Sequence, residues 1–271
     1  MAIQHLLFQG HPHGIGANYM IILGALHLFD TNQYTGFNCA IKNGLYYDST
    51  GKPNWWENYF QPIKVGDLTT PFREFDDTMK EPFLISERLI TRVQNNGLIN
   101  KYIHLLPHMQ TLLNNFTTTH LSDVDYILGV HYRGTEKNTE AEILPFSRYT
   151  DQVKTVIDGL PEGTTYKIFV ATDEQFFLDH INKLYPGKIV TYDRSCRSMD
   201  GLNHYKNMGQ GTSKTPCAWS TPYYLGESAL MDSYILAESS FLIRSDSNLS
   251  MMSTFINPEM PVIQLTFRKF L

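Results

Sequence analysis

Apolar residues in this chain fall into short continuous runs in some stretches and into helical spacing in others. Residues 3–9 (IQHLLFQ) are apolar and end at Gly10, which predicts a buried strand. A glycine-rich loop follows. Residues 19–28 (YMIILGALHL) are then apolar on every side, which predicts a buried helix. Residues 43–75 are rich in Gly, Pro, Asn, Trp and Tyr and predict irregular structure. Between 84 and 120 the apolar positions take helical spacing: Leu84, Ile85, Leu89, Ile90, then Ile103, Leu105, Leu106, Met109, Leu112 and Leu113.

From residue 125 strands and helices alternate. Strands are predicted at 126–132, 167–172, 188–192, 241–244 and 262–265, and helices at 147–159, 173–184, 226–238 and 249–255. Residues 193–225 read as a long loop. Such alternation predicts an α/β fold with right-handed crossovers and a parallel sheet. The whole pattern suggests two Rossmann-like lobes facing a cleft. The N-terminal lobe, 1–115, is expected to be small and irregular, and the C-terminal lobe, 116–271, regular. In parallel sheets ligands sit beyond the carboxyl ends of the strands. The residues just after each strand are therefore the candidates for chemistry.

Composition narrows the picture. Of 271 residues, 42% are hydrophobic and 18% charged, which excludes wholesale disorder. The charge sum of 22 − 27 = −5 disfavours a general nucleic-acid surface, yet leaves room for a small anion site built from a few arginines. Cys39, Cys196 and Cys217 are sparse and odd in number, so neither a disulfide framework nor zinc is expected. No basic leader or run of ~20 apolar residues appears. A cytoplasmic protein without a stable membrane anchor is the expectation.

Four places after strands carry candidate chemistry. Gly14, Gly16 and Asn18 could bring backbone amides to an anion at a helix start. They do not fit the G-x-G-x-x-G spacing of a nicotinamide site. The run HYRGTEKNTE at 131–140 concentrates imidazole, guanidinium, ammonium and carboxylates. There Arg133 could grip a phosphate with paired hydrogen bonds. Asp173 is expected first of all to cap the helix behind it. Asp232 sits among apolar neighbours and would need partners, such as the N–H donors of a base edge. Ser247 and Asn248 open a helix and could cap it or cradle an anion.

Taken together these runs resemble a known family. The segment 129–142 (GVHYRGTEKNTEAE) resembles the H-x-R-R-T-D-K motif of the α1,6-fucosyltransferases, bacterial nodulation enzymes included, within a clan that also holds α1,2- and protein O-fucosyltransferases. Segments 168–174 (IFVATDE) and 227–250 are similar to two further elements of that clan, and the turn at 14–18 falls where it has a glycine turn. The resemblance implies a GT-B fold and an inverting, metal-independent transfer of L-fucose from GDP-fucose to a glycan hydroxyl. The N-terminal lobe would then carry the acceptor side and the C-terminal lobe the donor.

By position, Arg133 matches the arginine on the donor pyrophosphate and His131 the histidine beside the nucleotide. Asp232 matches the reader of guanine. Ser247 and Asn248 match a phosphate-binding pair, Glu140 the base and Lys137 its supporting lysine. The motif's second arginine is Gly134 here and its aspartate is Glu136, which bears on linkage. Trp55, Trp56, Tyr59, Trp219, Tyr223 and Tyr224 are candidate sugar-facing aromatics, and His11 and His13 could face the cleft. Two other readings remain: the same fold with another nucleotide sugar, or a binding protein without turnover.

Overall fold

A computed structural model describes residues 4–10, 14–48, 51–75, 80–134, 142–198 and 217–267. The chain divides into two compact units. One is Met1–Leu112 with Thr254–Pro258, the other Leu113–Ser253 with Glu259–Leu271.

The first unit holds β1 (His5–Phe8), α1 (Ile15–Asp30), β2 (Gly36–Cys39), a 3-10 turn (Trp55–Asn58), β3 (Lys64–Gly66), β4 (Phe72–Phe75), α2 (Lys80–Leu84) and α3 (Arg92–Tyr102). The four strands form a sheet in the order β3-β2-β1-β4, with β1 parallel to β2 and β4 and β3 antiparallel to β2. The expectation of irregular structure through 43–75 is therefore corrected, because β3 and β4 lie within it. Strands of three or four residues are too short to show a period in the sequence.

The helix predicted at 19–28 starts earlier, at Ile15, and almost every residue from Ile15 to Leu28 is buried. Its close partner is α2. A Cβ on Gly24 would come within 1.8 Å of the Pro82 carbonyl oxygen, so only glycine fits at that crossing. Trp55, Trp56 and Tyr59 have no exposed surface, and Trp56 stacks on Phe60 at 4.0 Å. They are core residues, and the idea that they face a sugar is withdrawn.

α4 (Pro107–His120) leads into the second unit. Its elements are β5 (Tyr126–Tyr132), α5 (Phe146–Asp158), β6 (Tyr166–Thr172), α6 (Gln175–Leu184), β7 (Ile189–Val190), α7 (Pro222–Ala237), β8 (Phe241–Arg244), α8 (Asn248–Ile256) and β9 (Val262–Gln264). The sheet is parallel throughout, in the order β7-β6-β5-β8-β9. The order reverses between β5 and β8, the switch point at which open α/β sheets bind ligands.

Strand alternation decides what reaches each face of this sheet. Leu128, Val130 and Tyr132 of β5 and Ile168 and Val170 of β6 pack with Tyr149 and Val153 of α5 and Phe177 and Ile181 of α6. Gly129 and His131, one residue out of phase, take the opposite face. There Gly129 lies against Leu236 and Ser239 at the end of α7.

Gly24→Ala should lower stability by about 1–3 kcal/mol, the usual cost of forcing a methyl into a packed contact. Chemical denaturation measures it. An unchanged midpoint would mean that α1 and α2 do not approach this closely.

Candidate functional site

The second unit contains a pocket at the carboxyl ends of its strands. Its lining includes His131 of β5 and Arg133 just after it, Thr172 of β6 and Asp173 just after it, Ser195 and Cys196 after β7, Ser228 and Asp232 from α7, and Leu249 from α8. Its empty space, open solvent included, is about 410 Å³.

In this lining the Arg133 guanidinium pairs with Asp173, Nη1 to Oδ2, at 2.6 Å. The other carboxylate oxygen of Asp173 accepts the Gly134 backbone N–H at 3.2 Å. The Arg133 N–H donates to Ser245 Oγ at 2.8 Å, and Ser245 donates on to the His131 carbonyl at 3.1 Å. The ends of β5, β6 and β8 are thus tied together around one ion pair. The expected capping role of Asp173 is corrected. α6 begins at Gln175, its N-cap is Glu174, and no side chain caps it. The carboxylate turns to the guanidinium instead, because a buried charge gains more from an opposite charge than from an exposed helix end.

Gly134 explains itself locally. A Cβ there would come within 1.9 Å of Glu174 Oε2 and 2.9 Å of the Tyr132 ring. Glu174 occupies the space that a larger residue at this position would need.

His131 is buried, and its Nδ1 has no hydrogen-bond partner among the described residues. Burial, with the nearby Arg133 charge adding to it, pushes the imidazole down to about 3. It is neutral at physiological pH. Asp232 is buried on α7, and Ser195 Oγ lies 3.4 and 3.3 Å from its two oxygens. Burial raises its carboxyl to about 7, against the pull of Arg197.

The segment after β7 forms one wall. The Arg197 guanidinium is held by the Ser195 carbonyl at 3.2 Å, the Tyr192 carbonyl at 3.3 Å and the Thr191 hydroxyl. Arg194 pairs with buried Glu227 at 2.8 Å, and Tyr192 donates to the same oxygen at 2.8 Å. Cys196 is bonded to Cys217. The sparse cysteines gave no expectation of a disulfide, yet the chain brings these two together from a separation of 21 residues, which spacing alone does not reveal. Cys39 is free and buried. Trp219 and Tyr224 pack edge to face at 4.8 Å, with Arg194 over both rings.

Of the residues singled out from sequence, the pocket gathers His131, Arg133, Asp173 and Asp232. Ser247 and Asn248 stand at the start of α8, beside Leu249, which does line it. Ser247 Oγ accepts the Leu249 N–H at 3.3 Å. Gly14, Gly16 and Asn18 lie in the first unit, at the start of α1, where Asn18 donates to the Gly14 carbonyl at 3.2 Å. Glu140, Lys137, Glu136, His11 and His13 lie outside the described residues. Sequence reading missed Ser195, which lines the pocket, and Arg197 and Ser245, which brace its lining residues from behind.

Among the described residues no group of three or more His, Cys, Asp or Glu could hold a metal ion. The chain does contain one D-x-D, Asp123-Val124-Asp125, at the amino end of β5. Asp123 pairs there with Lys167 and Asp125 accepts from Thr165, at the end of the strand opposite the pocket. No described helix is long and apolar enough to cross a membrane.

No family model matches the chain and no curated protein matches its sequence. Solved structures match its fold. NodZ α-1,6-fucosyltransferase soaked with GDP-fucose superposes with a TM-score of 0.63 at 16% identity, covering 94% of this chain and 93% of that one. NodZ from Bradyrhizobium gives 0.60 at 16% identity, over 98% and 99% of the two chains. FUT1 of Arabidopsis thaliana, in complex with GDP, gives 0.57 at 10% identity, over 97% of this chain and 70% of that one. The chain has the α/β fold of these fucosyltransferases, of the GT-B type. At such identities the likeness is one of fold.

Asp232 has a testable signature. Its folded value, near 7, stands above the ordinary 3.8, so between those values the folded protein holds more protons than the unfolded chain. Its contribution to stability therefore falls as pH rises through about 4 to 7. His131, lowered from 6.5 to about 3, contributes the opposite slope. Comparing Asp232→Asn with the parent isolates the first. The variant should gain a few kcal/mol relative to the parent between pH 4 and 8, read by denaturant unfolding. A constant difference across that range would place the carboxyl in solvent.

Proposed function

We propose that the protein transfers L-fucose from GDP-fucose to a glycan hydroxyl, with inversion at the fucose C1 and without a metal ion. The observation that carries this reading is Arg133, a guanidinium at the mouth of a parallel-sheet pocket, in a fold shared with enzymes whose structures contain GDP and GDP-fucose.

The acceptor oxygen attacks C1 as the bond from C1 to the β-phosphate oxygen breaks. The electron pair of that bond goes to the departing GDP. Arg133 meets the charge that develops there, and donors already in place at such a point are the strongest single aid to this kind of step. Asp173 holds the guanidinium in line, so little reorganisation is needed during reaction. Glu140 takes the acceptor's proton, with Lys137 keeping it ionised. Asp232 accepts the N–H pair of the guanine edge, which requires its ionised form. Neutral His131 lies beside the nucleotide. The α8 start at Ser247 and Asn248 completes the donor contacts of this unit. The partners are GDP-fucose and a glycan acceptor, with no resident cofactor. The cytoplasmic location rests on sequence alone, whereas the Cys196–Cys217 bond favours an oxidising compartment.

Calorimetry with GDP, GDP-fucose and GDP-mannose, followed by transfer to a glycan panel, tests the reading. GDP-fucose should bind and be consumed, and preference for another donor would reassign the enzyme. Arg133→Ala should lower turnover by ~10²–10³. Transfer at the parental rate would remove the arginine from the mechanism.

A further inference from the structure

A guanidinium lies against the wall of the pocket and does not itself line it. Arg197 sits one residue beyond Cys196, half-buried, and its buried Nε has no hydrogen-bond partner among the described residues. Its described hydrogen bonds go to the Ser195 and Tyr192 carbonyls and the Thr191 hydroxyl, all neutral groups within six residues of it. A buried cation costs several kcal/mol in lost hydration unless something opposite offsets it. Carbonyl dipoles supply part of that, and the rest has to come from charge nearby.

The carboxylate across the wall is Asp232, which Ser195 touches through its hydroxyl. The segment between them has little freedom. Arg197 holds the Ser195 backbone, Cys196 is bonded to Cys217, and the Ser198 N–H donates to the Asp173 carbonyl at 2.8 Å. We propose that Arg197 is the positioning residue of Asp232, setting the carboxylate through Ser195 for the base it reads. This inference rests on the reading of Asp232 as the guanine acceptor.

The groups that face Asp232 divide clearly. From β6, Asp173 repels its charge, but Asp173 is itself paired with Arg133. From β5, His131 is neutral. On α7 itself, Glu227 is taken by Tyr192 and Arg194. From the wall, Ser195 donates and Arg197 attracts, and Asp193 faces Arg197 as a second acid. Among the described residues, Arg197 is therefore the positive charge that counters the burial of Asp232. The Ser195 contacts, at 3.4 and 3.3 Å, are long for an O–H to carboxylate bond, which leaves both oxygens able to accept from a ligand.

The test is GDP affinity between pH 5.5 and 9 for the parent, Arg197→Met, Arg197→Lys and Ser195→Ala, alongside NMR titration of the Asp232 carboxyl in ligand-free protein. In the parent, affinity should rise with pH through about 7, as the carboxylate forms. Arg197→Met should move that midpoint and the carboxyl titration upward together by about one pH unit, with affinity about fivefold lower at pH 7 and recovering at pH 9. Arg197→Lys should restore the midpoint. Ser195→Ala should also raise it and, should the Met variant not fold, carries the test alone. A purely structural role would lower affinity equally at every pH, and an unmoved Asp232 titration in Arg197→Met or Ser195→Ala overturns the proposal. Absence of GDP binding by the parent at every pH would sink the donor reading instead, and the carboxyl titration would still decide the role of Arg197.

Discussion

The candidate site is organised around one buried ion pair. Arg133 and Asp173 follow neighbouring parallel strands, and each offsets the cost of burying the other's charge. Each is completed from the backbone: Gly134 donates to the carboxylate, and Ser245 receives the Arg133 amide. The outcome is three strand ends held in fixed register with a guanidinium at the pocket mouth. An arginine so braced can meet a phosphate without first being ordered, which is what electrostatic preorganisation requires.

A second charged centre stands at the other side of the pocket. Asp232 is buried, and among the described residues it has a long serine contact and a countercharge behind the wall. The two centres differ in kind. The first is a direct ion pair between Arg133 and Asp173, while the second keeps acceptor capacity open. That asymmetry suits a ligand with an anionic end and a donor-rich end, as a guanine nucleotide has. Tyr149 supports the arrangement from below: its hydroxyl meets Ser245 at 2.8 Å, and burial lifts its pKa to about 12, so it stays neutral.

Much of this was legible in the sequence. The regular half of the chain announced its strands by apolar runs, and the rule of reading the residues after each strand led to His131, Arg133 and Asp173. Asp232 stood out because its neighbours were apolar. The same rule points past β7 to Ser195 and Arg197, but residues 193–225 have no periodic pattern and read only as loop. The pairing of Cys196 with Cys217 is a tertiary fact that no spacing encodes. In the first unit, β2, β3 and β4 were too short to declare themselves, and the tryptophans that looked like sugar platforms were needed for the core. Asp173 misled because an acid before a helix is ordinarily a cap. Only the fold shows that a guanidinium competes for it.

A crystal of the protein grown with GDP addresses the central claim most directly. The account predicts the diphosphate within hydrogen-bond distance of the Arg133 guanidinium and the guanine edge on Asp232. A nucleotide bound elsewhere, with this pocket empty and Arg133 engaged by Asp173 alone, would contradict it.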